Sequence, residues 1–137
     1  MFLLDSDKDT EDVHIRKVRK EDYDNPSRKM LESGINFIEE SYEIEEIEVG
    51  VIYGSVARNE AAEGSDIDML FVCDDVESYP KIADPLNEIV ESFEYEMSPH
   101  LVRKKDLKEW KLVNYPPYFM KDEEDKNKFL EYYKNKV

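Results

Sequence analysis

Apolar positions along the chain change period several times, and the changes predict an order of elements. After Asn25-Pro26-Ser27, which offers a cap and a proline suited to a first helical turn, Leu31, Ile35, Ile38 and Tyr42 recur at helical spacing. Glu43 to Glu48 separates that helix from a strand over 47–53, whose run Glu48-Val49-Gly50-Val51-Ile52-Tyr53 is β-branched and stops on Gly54-Ser55. A polar segment leads to a second strand over 66–72, Asp66-Ile67-Asp68-Met69-Leu70-Phe71-Val72. Apart from its two aspartates it is continuously apolar, as a central strand covered on both faces is. Asp74, Asp75 and Pro80 mark a loop. Ile82, Leu86, Ile89, Val90 and Phe93 then return to helical spacing, with Pro85 near the first turn. A third strand is predicted over 93–102 and a helix over 105–114, with Leu107, Trp110 and Lys111 on adjacent turns until Tyr115-Pro116-Pro117 breaks it. A last helix over 122–136 would present Phe129, Leu130, Tyr132 and Tyr133 on one side.

Residues 1–26 differ from the rest of the chain. Helical periodicity is poor, and the basic cluster His14-Ile15-Arg16-Lys17-Val18-Arg19-Lys20 lies between acidic stretches. The expectation is an N-terminal arm or short edge strand over 1–26, solvated and self-neutralised or else a docking surface, and one domain over 27–137. With 137 residues, 40% hydrophobic and 12% aromatic, the chain can bury one core.

Charge narrows the partners. The net charge of −15 argues against coating DNA or RNA, because such proteins neutralise phosphates with Lys and Arg. Anionic membranes are disfavoured for the same reason, and no apolar run approaches the roughly 20 residues of a spanning helix. Met1-Phe2-Leu3-Leu4-Asp5 stops being apolar too early for a signal peptide, and the single cysteine, Cys73, forms no internal disulfide. A cytoplasmic setting is expected. From Asn59 to Leu101 the only basic residue is Lys81, against twelve acids, so that window carries −11 of the −15.

The chemistry concentrates in Gly54-Ser55-Val56-Ala57-Arg58-Asn59-Glu60-Ala61-Ala62-Glu63-Gly64-Ser65-Asp66-Ile67-Asp68. Along a strand, residues two apart share a face, so Asp66 and Asp68 present their carboxylates side by side. Burying such a pair costs free energy unless a cation joins it, and local Lys and Arg are scarce. Hard oxygen ligands of this kind select Mg²⁺ or Mn²⁺. Gly54 lets a phosphate approach the backbone, and the Ser55 hydroxyl with the N–H groups of the following turn can donate to phosphate oxygens. Together they compose a nucleotide–metal site.

The stretch resembles the signature of the nucleotidyltransferase superfamily that includes DNA polymerase β: Gly-Ser, ten residues (Val56 to Ser65), then Asp-x-Asp. It looks closest to the small prokaryotic minimal nucleotidyltransferases, whose habit Ser55-Val56-Ala57-Arg58 and Gly64-Ser65-Asp66-Ile67-Asp68-Met69-Leu70 also follow. The close resemblance spans about 50–72 and extends more loosely over about 27–113. Asn59 departs from it, standing where that group usually has glycine, which bears on the conformation of the loop. The resemblance implies an α/β (α+β) fold with a small mixed β-sheet flanked by helices, and a third carboxylate on a later strand. Glu94 and Glu96 both occur there, and Tyr95-Glu96-Met97-Ser98-Pro99 favours Glu96, the acid that precedes an apolar residue and Ser-Pro.

The implied reaction is metal-assisted attack on the α-phosphate of a nucleoside triphosphate, with Mg²⁺ or Mn²⁺ as cofactor and ATP as substrate. Asp66 and Asp68 would hold the metal that carries the triphosphate and, with Glu96, a second metal, so that all three are the catalytic and metal-binding carboxylates with Glu96 as base or ligand, and Gly54 and Ser55 would grip the terminal phosphates. Ser65 would add a hydroxyl contact or shape the turn. Arg58 would bind nucleotide or anchor an ion pair with Glu60 or Glu63. His14 and His100 read as hydrogen-bonding or surface residues, Cys73 as core, Trp110 as packing, and the Tyr115 to Phe119 cluster as a capping loop or an interaction patch. Arg103, Lys104 and Lys105 would open a helix or meet a substrate phosphate.

Proteins resembling this group at this size are often antitoxins whose acceptor is a tyrosine of a HEPN-family ribonuclease toxin. Larger relatives modify aminoglycoside or lincosamide hydroxyls with the help of a further domain. A short chain favours a protein acceptor, or a pocket completed by a partner or by a second subunit in a homo-oligomer. The alternative is a catalytically weak binding module that neutralises a basic partner by contact.

Overall fold

The computed structural model describes residues 2–6, 13–17, 20–109 and 118–119, together with Asn127 and Glu131. The strands are β1 (Phe2–Ser6), β2 (Val13–Lys17), β3 (Val49–Tyr53), β4 (Ile67–Cys73), β5 (Met97–Arg103) and β6 (Tyr118–Phe119). They lie in one sheet in the order β2-β1-β6-β3-β4-β5. The helices are α1 (Ser27–Ser41), the single turn α2 (Gly54–Ala57) and α3 (Tyr79–Glu91), with 3₁₀ turns at Lys20–Asp22, Val76–Ser78 and Lys104–Glu109. A mixed sheet with helices is the α+β architecture expected. No helix among the described residues is long and apolar enough to cross a membrane.

Among the described strands only β4 and β5 pair in parallel. That is possible because α3 carries the chain back along the sheet between them. Alternation along β4 sends Ile67, Met69, Phe71 and Cys73 into one fully buried layer with Ile52 of β3, where α1 contributes Met30, Leu31, Phe37 and Ile38. The Phe37 ring lies 6.2 Å from Phe71 and 5.4 Å, edge-on, from Phe93. Burial of each such side chain stabilises by about 1.5–3 kcal/mol. Gly50 of β3 faces the Phe71 ring, and its N–H donates to the Tyr42 hydroxyl at 3.0 Å, tying the end of α1 to the sheet.

Several predicted boundaries move. The helix expected from Ile82 begins at Tyr79, directly after the 3₁₀ turn that Asp75 caps through the Ser78 N–H at 3.1 Å, and Pro80 suits its first turn. Pro85 consequently lies inside α3 rather than near its start, and Lys81, whose carbonyl its missing N–H would have met, is exposed. Phe93 does not open the third strand. Its N–H donates to the Val90 carbonyl and its ring packs on Phe37, so β5 starts four residues later and Glu94 sits in a bend. The helix expected over 105–114 is a 3₁₀ turn through Glu109, and residues 110–114, including Trp110, lie outside the described residues. Of 122–136 only Asn127 and Glu131 are described, both helical and exposed. Within 1–26, two strands pair antiparallel, and β1 also pairs with β6.

Candidate active site

Two central strands end at the site. In register across the sheet, Tyr53 of β3 faces Asp68 of β4, and Asp68 faces Ser98 of β5. One step outward the Ile67 N–H donates to the Glu96 carbonyl at 2.9 Å, so the parallel register sets Glu96 beside Asp66. Alternation then puts Asp66, Asp68, Glu96 and Ser98 on one face, opposite the layer that packs on α1. Asp66 and Glu96 are exposed and Asp68 half-buried.

Gly54 is where β3 stops. Its φ of +78° is a conformation that L side chains rarely adopt, and a Cβ there would lie 2.6 Å from Asp68 Oδ2. Glycine therefore allows both the turn into α2 and the close approach of the loop to the carboxylate. Half-buried Ser55 comes next, with Val56 and Ala57 packed into the core. Asn59, where glycine is usual, keeps a positive φ of 61°, which asparagine tolerates, and its Oδ1 accepts from the Asp24 N–H at 2.9 Å. The departure from the motif thus preserves the turn. Ser65 Oγ accepts from the Ala62 N–H and the Ser65 N–H donates to the Ala62 carbonyl, both at 3.1 Å, closing the turn before Asp66.

The electrostatics single out Asp68. Burial, and then the neighbouring charge of Asp66, hold its carboxyl above the usual range, while His100 and Arg58 pull it back down. Arg58 also pairs with Glu60 at 3.1 Å. An oxygen-only pair that carries a penalty for its charge suits a hard divalent ion, and Mg²⁺ characteristically takes one or two carboxylates plus substrate phosphates. Among the described residues no three carboxylate, histidine or cysteine side chains converge closely enough to hold an ion by themselves.

Other residues sort by the end of the sheet they occupy. Arg103 pairs with Asp106, and Lys104 with Asp74 at 2.7 Å, at the opposite end of β5 from Glu96. His100 is exposed on the same face as Asp68, with Nε2 3.5 Å from Ser98 Oγ and its ring 6.4 Å from that of Tyr53. Periodicity carries no signal for that placement, which follows from the β4–β5 register. A cavity of about 370 Å³ lies on the helix-covered side, lined by Pro26, Lys29, Met30, Glu63, Gly64 and Tyr95 among others. Asp66, Asp68 and Glu96 are not among its lining residues.

A family model described as a nucleotidyltransferase domain matches residues 31–135. The chain belongs to that family. The match contains Gly54-Ser55, Asp66, Asp68 and Glu96 in one domain, and it makes nucleotidyl transfer the general chemistry of this fold. Residues 1–30 precede it. No curated protein and no solved structure matches the chain significantly.

Proposed function

We propose that this nucleotidyltransferase moves AMP from ATP onto a hydroxyl, that of a tyrosine on a partner ribonuclease of the HEPN type, in a cytoplasmic setting. The observation that carries the reading is the close approach of Gly54 to the Asp68 carboxylate at the strand end where the parallel register sets Glu96 alongside Asp66. Gly54 and Ser55 bind the terminal phosphates, with Ser65 shaping the approach to Asp66. Asp66 and Asp68 would hold Mg²⁺ or Mn²⁺ together with the substrate phosphates, with Glu96 as the third acid at that strand end. When bound, the ion neutralises phosphate charge and lowers the pKa of the acceptor hydroxyl. Glu96, exposed beside Asp66, stands where it can take the acceptor's proton as that oxygen attacks the α-phosphorus and pyrophosphate leaves. Arg58, near enough for its charge to act on Asp68, offsets the build-up of negative charge as the triphosphate enters.

Incubation with Mg²⁺, ATP and a co-purified or co-expressed partner should add one AMP mass to that partner. The Asp66→Asn, Asp68→Asn double variant should add none. Partner neutralisation that survives in the double variant would instead assign that effect to contact, which the acidic 59–101 window favours as the second reading.

A further inference from the structure

We propose that Tyr23, Asp24 and Ser27, which precede the family-matched stretch, position the phosphate loop, a role that rests on the reading of Gly54 and Ser55 as nucleotide-binding. A single helical turn has no stability of its own, so α2 depends on what satisfies its backbone. The Gly54, Ser55 and Val56 carbonyls accept from the N–H groups of Arg58, Glu60 and Asn59. The Ala57 carbonyl accepts from the Tyr23 hydroxyl at 2.6 Å. Both residues are buried, Tyr23 6% and Ala57 1% exposed, so water cannot replace that donor unless the loop opens.

Two further ties lie along the same loop. The Asp24 N–H donates to Asn59 Oδ1 at 2.9 Å and holds the residue with positive φ, and the Ala61 N–H donates to Ser27 Oγ at 2.8 Å, with Ser27 only 2% exposed. Five consecutive residues, Tyr23 to Ser27, thereby anchor the loop at three points from 34 or 35 positions away in sequence. Each tie ends on the loop that carries Ser55, at the edge where Tyr23, Ala57 and Ala61 also pack into the apolar core. The segment fixes the loop before a nucleotide arrives, and a loop competent for only a fraction of the time weakens apparent affinity by that fraction.

The test measures Mg–ATP affinity of the full chain by calorimetry, with thermal melts alongside. Tyr23→Phe and Ser27→Ala should each weaken binding, by about tenfold where one loop in ten stays competent. Asn59→Gly, which keeps the turn and loses the Asp24 tie, should weaken it less. Phe37→Leu, a core change away from the loop, should lower the melting temperature at least as much and leave affinity unchanged. Unaltered affinity in Tyr23→Phe and Ser27→Ala, or an equal loss in Phe37→Leu, overturns the positioning role while the nucleotidyltransferase reading stands. Failure of the unmodified chain to bind Mg–ATP overturns that reading, and this role with it.

Discussion

Asp68 and Gly54 show how closely one residue's chemistry depends on its neighbour. Burial and Asp66 make the charged form of Asp68 costly in the folded state. Asp68→Asn should therefore raise the melting temperature in chelator while lowering transfer by at least about 100-fold; a lower melting temperature would contradict the electrostatic account. Gly54→Ala should cost about 1–2 kcal/mol for its backbone conformation alone, and should also push Asp68 aside, so that denaturant stability and Mg–ATP affinity fall together. Cys73 provides a titration on the far side of the sheet. Burial, then Asp75 and Asp74, push its thiol up to about 11 from 9.0. Between those values the unfolded chain gives up a proton that the folded chain keeps, so this group's effect is a loss of stability as pH rises from about 9 to about 11. Below pH 9 a thiol reagent should label Cys73 only after denaturation, and fast labelling of native protein would contradict its burial.

At the scale of elements, the strongest apolar periodicities were legible and their ends were not. Leu31 and Ile38 placed α1, and the unbroken apolar run of β4 marked a strand covered on both faces. Phe93 was misleading because one aromatic satisfies a helix stripe and a strand start equally, and only its contact with Phe37 assigns it to the end of α3. That contact also removes Glu94 from the strand and leaves Glu96 beside Asp66. Element packing is tight where β3 meets β4. A Cβ at Gly50 would lie 2.8 Å from the Phe71 ring and 3.2 Å from Ile38. Gly50→Ala should accordingly lower stability in chemical denaturation by about 1–3 kcal/mol through overpacking.

At the scale of the whole molecule, Asp74 of the acidic window lies with Lys104 at the far end of the sheet, while Asp66, Asp68 and Glu96 gather negative charge at the candidate site. A bare triphosphate meets like charge there, whereas a metal-bound one does not. Mg–ATP at 100 times its Kd should stabilise the fold by about 2.7 kcal/mol, and excess chelator should abolish the shift; equal stabilisation by free ATP would refute metal dependence. The sequence by itself determined which residues make up the candidate site: carboxylates two apart on a strand share a face, and Gly-Ser ends the neighbouring strand, because both follow from local backbone geometry. Tertiary structure alone decided that His100 stands near Asp68 and that Tyr23 to Ser27 hold the loop. Those relations depend on strand register and on hydrogen bonds between residues more than thirty positions apart, which no local period encodes.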